Sequence, residues 1–533
     1  MLNRYSIRAV ALVIFVSAFA AQPAPVIAQT TAFRQAVAEG AARDAALGEF
    51  YRARVFEGIW TGDTPQHRAR RNALLTAFAN AHNHGLSAAQ YDPQALMARL
   101  RAATTPAEIG AMEVDLSRLF LSYAQDIQTG ILTPSDVIYE IKRVVPLREP
   151  MSYLSEFLSA SPAAYLAALP PSSPEYARLL REKLRLERLM AVGGWGASVS
   201  GDGLERGDIG ARVIALRDRL VAMGFMERSV TQTYDATIEA AVTRFQAAHG
   251  LTEDGQAGAG TLLELNIPIS SRLQQIIVAM ERERWTNQPR GARHIWVNLT
   301  DFSAAIMDND AVTFQTRSVI GALDSDRQSP EFSDVMDHMV INPSWFVPRS
   351  IIVGEYLPAM QRNRNAISHI FVTDRNGRTV NRNSINFNQY TARSFPFSMR
   401  QPPSDSNALG LVKFMFPNVY NIYLHDTPAK SLFGREIRAY SHGCIRLNDP
   451  FEFAHALLAV QEPDPVEYFT RILRGGNETR VNLEAPVPVH IVYRTAFTHT
   501  TGQLNFRRDV YGRDSRIWEA LANEGVAVGA FGG

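Results

Sequence analysis

The sequence predicts a multidomain α+β protein in which a helical scaffold and a small three-helix module precede a mostly β domain interrupted by a lid insertion. Three observations carry that prediction. Apolar residues recur at helical spacing through residues 29–200. Two helical patterns, a turn and a third short helix occupy 205–268. From 290 to 495 the apolar residues fall instead in short runs separated by turn residues.

The N-terminus reads as an export signal. Arg4 and Arg8 flank an uncharged apolar run over 9–21, and Val26-Ile27-Ala28 ends in the small residues a signal peptidase accepts, which bounds the segment at 1–28. The run is too short to span a bilayer comfortably, so an uncleaved signal is the only membrane attachment the sequence offers. No cysteine lies near the N-terminus to carry a lipid. The rest suffices for roughly three domains. With 46% hydrophobic and 20% charged residues and a net charge of +1, nothing electrostatic points to nucleic acid as a partner. One cysteine in 533 residues excludes an internal disulfide, and stability must come from apolar cores.

Within the scaffold, helices are expected over 32–51, 106–127 and 174–192, and no catalytic pattern appears there. Residues 193–207, rich in Gly and Ser, read as a linker. In the module, Ile209, Val213, Leu216 and Leu220 line one helix face that Gly224 ends, and Ile238, Ala241, Val242 and Phe245 line a second that stops at His249-Gly250. A connecting helix is expected over 269–289. Strands follow around 295–299, 304–306, 312–320, 339–341, 370–373, 419–425 and 490–493. The long polar stretch over about 350–410 is expected to be a functional lid, and 496–533 a C-terminal extension.

The only thiol lies in Ser441-His442-Gly443-Cys444-Ile445-Arg446, and Tyr423-Leu424-His425-Asp426 precedes it. A thiol in an oxidising compartment that cannot form an internal disulfide calls for a reason, and beside two histidines and a glycine that reason is nucleophilic catalysis. A cysteine is mostly protonated at neutral pH until a base takes its proton, so an imidazole–thiolate ion pair with a depressed thiol pKa is expected. His425 is the expected base, because a separate strand can bring it freely to the sulfur. His442 is too close in sequence for a good in-line transfer and lines the site instead. Strand alternation puts Tyr423 and His425 on one face and Asp426 on the other, which leaves a backbone carbonyl to orient the imidazole. Gly443 allows a backbone conformation that a side chain would forbid, and the N–H groups of Gly443 and Cys444 are expected to face a developing oxyanion. Arg446 suits a substrate carboxylate, unless an acidic neighbour claims it. No metal-ligand spacing and no phosphate loop occur, so neither metal nor cofactor is expected.

These residues carry a resemblance. His425 followed by Ser441-His442-Gly443-Cys444-Ile445-Arg446 resembles the signature of the L,D-transpeptidase catalytic domain, the YkuD-like fold. Segments such as Ile341-Asn342-Pro343-Ser344-Trp345, Val347-Pro348-Arg349-Ser350 and Val412-Lys413-Phe414-Met415-Phe416-Pro417-Asn418 resemble the long Gram-negative members, and the pattern over 205–268 resembles a peptidoglycan-binding module. The resemblance implies a periplasmic enzyme acting on peptidoglycan stem peptides as both donor and acceptor. Cys444 would attack the carbonyl of the diamino acid at stem position three, release the terminal D-alanine, and pass the thioester's acyl group to a second stem as a 3→3 cross-link. It implies Cys444, His425, Gly443 and His442 as catalytic residues, Arg446, Tyr423, Ser441 and Trp345 as substrate contacts, and carbapenem-type β-lactams as covalent inhibitors. A cysteine peptidase that hydrolyses stems or wall-protein links would use the same parts, and a non-catalytic wall-binding protein would use only the helical module.

Overall fold

The computed structural model describes residues 26–324, 326–499 and 502–529. The expected signal, apart from its last three residues, lies outside them, and the helix Val26–Ala41 includes those three. Among the described residues no helix is long and apolar enough to cross a membrane. The chain divides into two compact units. The first holds residues up to Thr76, Pro93–Ser122 and Glu149–Leu166, and the second holds Ala77–Asp92, Tyr123–Arg148 and everything from Ala167. The helical N-terminal stretch is thus shared between the two.

The first unit is organised on a buried carboxylate. Glu113 accepts hydrogen bonds from the Trp60 N–H at 3.1 Å, the Thr61 N–H at 2.8 Å and the Tyr51 hydroxyl at 2.9 Å. Those donors lie in chain that would otherwise leave buried N–H groups without partners, which is costly. Trp60 stacks on Phe157 at 5.1 Å. The helix expected over 32–51 is broken at Asp44, whose side chain caps a new helix, Ala45–Ala53, by accepting from the Leu47 N–H.

In the second unit the small module has helices Ala211–Met223, Ala236–His249 and Ala259–Leu265. Asp235 caps the second of these, and Gly224 and Gly250 close the first two in left-handed conformation. Val213, Leu216, Leu220, Ile238 and Phe245 are fully buried, each contributing about 1.5–3 kcal/mol. Ile209 departs from the expected face: it precedes the helix and is 75% exposed. The expected linker is packed chain. Trp195 and Val199 are buried, the Val199 N–H donates to Asn266, and Gly203–Leu204 pairs with Ala257–Gly258.

Helix Ile269–Trp285 leads into a nine-stranded sheet: β1 Arg293–Asn298, β2 Ser303–Asp308, β3 Ala311–Gly321, β4 Phe332–Ile341, β5 Val412–Met415, β6 Leu424–His425, β7 Ala439–Ser441, β8 Ile445–Leu447 and β9 Thr479–Val492. The order is β7-β3-β8-β6-β5-β4-β9-β1-β2, and β2 pairs back onto β3, so the sheet curls towards closure. β6 and β8 run parallel, with Leu424 opposite Ile445 and His425 opposite Arg446. Val412, Phe414, Leu424, Ile445 and Leu447 point into the main core with Phe453 and Leu457 of helix Pro450–Leu458. Alternation therefore turns Lys413, Tyr423, His425 and Arg446 to the opposite face.

That face meets the insertion. Residues expected as a polar lid form a folded piece with its own core of Trp345, Ile352, Leu357, Met360, Val372, Phe387, Phe395 and Met399, against which Tyr423 packs. A three-stranded sheet runs through it in the order Trp345–Phe346, Ser398–Gln401, Phe371–Thr373. The strand expected over 419–425 shrinks to Leu424–His425. Asn418 ties the preceding turn by accepting from the Tyr420 and Ile422 N–H groups, and Asn421 is left-handed at φ 56°. The C-terminal segment is structural. Arg513 and Asp514 begin helix Arg513–Asn523, buried with Arg282 and Glu331: Arg282 donates to Glu331 at 2.6 Å and to Asp514 at 2.9 Å, and Arg513 donates to Glu331 at 2.9 Å.

Candidate active site

The parallel pairing of β6 with β8 assembles the site. The Ile445 N–H donates to the Tyr423 carbonyl, which sets Cys444 beside Tyr423 one step before the His425–Arg446 pair. The Tyr423 and His425 rings meet edge to face at 5.7 Å, so the two share a face as alternation predicts. The half-buried Cys444 thiol donates to the Asn421 carbonyl at 3.5 Å and receives the N–H and hydroxyl of Tyr423. The Tyr423 hydroxyl also lies within hydrogen-bond reach of Trp345. His425 bonds through Nδ1 to the backbone carbonyl of Asp426, the kind of acceptor the strand alternation requires. The Asp426 carboxylate is held elsewhere, by Lys430 at 2.8 Å and by the Leu411 N–H at 2.9 Å.

The resting electrostatics differ from the expected ion pair. Burial pushes the Cys444 thiol up to about 11, against the hydrogen bonds of Tyr423 and the charge of Arg446, which favour the thiolate. Burial, then Arg446 and Lys413, push His425 down to about 3. Both groups are therefore neutral across the physiological range, because neither charged form recovers the hydration it would lose. A neutral imidazole is a competent base, but no hydrogen bond joins His425 to Cys444 among the described residues, contrary to the expected ion pair: the ring meets the Asp426 and Leu409 carbonyls, while Asn421 and Tyr423 meet the sulfur and Arg446 with Tyr423 favours its anion.

The loop around the cysteine is braced from within. Gly443 has φ 109°, and an added Cβ would lie 3.2 Å from the Ile422 side chain, so glycine suits this position. Its N–H donates to the Ser441 hydroxyl at 3.1 Å, and its carbonyl accepts from Ser329 at 2.6 Å. Gly443 is therefore not a free oxyanion donor in this geometry, contrary to expectation. The Cys444 N–H has no hydrogen bond among the described residues and is left to that role. Ser441 is buried and also donates to the Cys444 carbonyl at 2.5 Å, so its hydroxyl shapes the loop and does not face substrate. His442 turns outward, with Nε2 2.7 Å from the Glu355 carboxylate. Trp345 is buried beside Tyr356 and braces the phenol of Tyr423.

Arg446 has no ion pair among the described residues, and its buried Nε has no partner, so the acidic neighbour that would have explained it as structural is missing. Sequence reasoning overlooked three participants. Asn421 supplies the carbonyl on the thiol. Glu355 reaches His442 from the insertion. Lys413 stands directly across from His425 on β5. A lysine inside the apolar run Val412–Met415 was the one available signal.

Comparison with known proteins agrees with this arrangement. Residues 292–488 match a family model described as "L,D-transpeptidase catalytic domain", 209–265 one described as "Putative peptidoglycan binding domain", and 45–184 one described as "Scaffold domain". A curated Haemophilus influenzae protein named "Putative L,D-transpeptidase" is 30% identical over 242 residues, which cover 45% of this chain and 48% of that one. The chain thus spans about half the length of this relative. Crystal structures of L,D-transpeptidases from Xylanimonas cellulosilytica and Stackebrandtia nassauensis align at 12% and 11% identity, over 55% and 56% of this chain and 98% and 97% of theirs. Their TM-scores of 0.16 and 0.23 are too low to define a shared fold. The family models and the sheet that carries His425 and Cys444 lead to one conclusion: the chain carries an L,D-transpeptidase catalytic domain of the YkuD family together with a peptidoglycan-binding domain.

Proposed function

We propose that the protein is an exported, periplasmic peptidoglycan L,D-transpeptidase that forms 3→3 cross-links through a thioester on Cys444. The observation that supports this reading is the β6–β8 register, which pairs His425 with Arg446 one step beyond Tyr423 and Cys444, with Tyr423 packed against the insertion. His425 takes the thiol proton as Sγ attacks the position-three carbonyl of the donor stem. The tetrahedral oxyanion forms against the Cys444 N–H. One such donor contributes about 3 kcal/mol in comparable sites. The amine of D-alanine then leaves with the proton, and the thioester remains. The side-chain amine of a second stem attacks it, closes the new amide and returns the thiol. The thioester stores enough energy for this without ATP, and a lid that excludes water favours amine over hydrolysis. Carbapenems would acylate the same sulfur.

The test is incubation of the protein with a disaccharide–tetrapeptide fragment, followed by mass spectrometry of enzyme and products. The expected result is a Cys444 adduct of the stem minus D-alanine, together with cross-linked dimers. Shortened monomers without dimers would make the protein a hydrolase of the same bond. A sulfur that never carries a stem or a carbapenem would overturn the mechanism.

A further inference from the structure

Three cationic or basic side chains stand in one row across three strands. Lys413 of β5 is directly opposite His425 of β6, and His425 is directly opposite Arg446 of β8. Directly paired residues project to the same face, and adjacent strands lie about 4.8 Å apart. Lys413 and Arg446 therefore flank the imidazole on both sides, and the charge of each acts on it. Both are half-buried, and neither forms an ion pair among the described residues. The carboxylate that acts on Lys413 is Glu478, and it sits 4.0 Å from Arg400 instead. Arg446 has no carboxylate acting on it and Lys413 has only Glu478, a partly exposed group shared with Arg400, so a ligand that brings further negative charge to this face is favoured.

We infer that Lys413 is a specificity-determining residue of this site, which together with Arg446 takes the terminal carboxylate of the donor stem. The inference rests on the reading of this face as the donor site, where a carboxylate lies one residue beyond the bond that breaks. The cation pair then selects stems that end in a free acid. The carboxylate departs with the released amino acid, so the two cations are free again before the acceptor arrives.

The test compares a tetrapeptide-stem donor ending in a free carboxylate with its C-terminal carboxamide, and reads Cys444 acylation by time-resolved intact mass. Wild-type protein is expected to use the acid at least about tenfold better than the amide. Lys413→Met should lower acylation by the acid about tenfold and leave acylation by the amide within about twofold. Lys413→Arg should restore the preference for the acid. If Lys413→Met does not fold, Lys413→Gln is read in the same way. An equal loss with both donors, or no loss with either, would overturn the role of Lys413 while leaving the transpeptidase reading intact. Wild-type protein acylated by neither donor would instead overturn the donor reading, and the inference with it.

Discussion

The Glu355 carboxylate accepts a hydrogen bond from His442 Nε2 at 2.7 Å and lies 2.9 Å from the Arg327 guanidinium. A carboxylate accepts only, so Nε2 carries the proton. Glu355 belongs to the insertion and His442 stands two residues before Cys444, so this contact fastens the folded insertion to the loop that carries the thiol. Both side chains are about one-third exposed, so the contact contributes only about 0–1 kcal/mol to global stability.

Replacing Glu355 with glutamine should therefore loosen the insertion without unfolding the protein. Tm should move by no more than about 2–4 °C, while the ratio of hydrolysed to cross-linked product rises. Product analysis by mass spectrometry reads the ratio. An unchanged ratio would remove the insertion from water exclusion.

The resting thiol should be hard to ionise. Iodoacetamide alkylation of Cys444 against pH should show a midpoint near 11, above the 8.5 typical of a free cysteine. Tyr423→Phe should move the midpoint further up, because the phenol donates to the sulfur and favours its anion. A midpoint below 8.5 would restore the ion pair that the sequence suggests.

Arg446→Ala removes a half-buried cation that has no protein partner, so the folded state should lose little stability in urea titrations. His425 should titrate higher. Burial still lowers it, but the guanidinium, the second cause of its depression, is gone. The donor KM should rise about tenfold or more if Arg446 holds a carboxylate. A donor KM equal to that of the wild type would make the arginine a bystander.

Acid should destabilise the second unit below about pH 6.5 through its buried histidines, opposed in part by Asp126 and Asp514, whose carboxyls burial raises to about 6 in the folded protein. Burial holds His84 and His490 at about 4 and His425 at about 3 in the folded protein. The unfolded chain binds those protons near pH 6.5, so below that pH it takes up more protons than the folded one. The stability these histidines contribute is complete above about 6.5 and is lost as pH falls towards 4, at about 1.4 kcal/mol per pH unit for each. Urea midpoints at pH 7, 5.5 and 4.5 should decline in that order, and a flat series would contradict the burial.

The shared face of Tyr423 and His425 was legible in the sequence because strand alternation dictates it. The thiol's pKa was not, because it depends on how much water the folded neighbours exclude. Lys413 and Glu355 were hidden for a related reason. Lys413 gains meaning only from its register opposite His425, and Glu355 reaches His442 across 87 residues of chain. The insertion read as polar because Asn, Arg and Ser separate its apolar residues. Only folding gathers Ile352, Phe387, Phe395 and Met399 into one core. In the expected linker, Trp195 and Val199 were outweighed by the glycines around them.

The last long strand, β9, sits between β4 and β1, and Asp514 lies beyond it as the buried partner of Arg282. A chain that emerges N-terminus first thus holds Cys444 well before the sheet around it can be completed. Until residue 492 arrives, β1 and β4 expose edges with nothing between them, and until residue 514 arrives Arg282 lacks one of its two carboxylates. Chains that end short of Asp514 therefore carry the thiol on a sheet whose buried Arg282 lacks that partner, and they should be cut by added protease faster than the full chain.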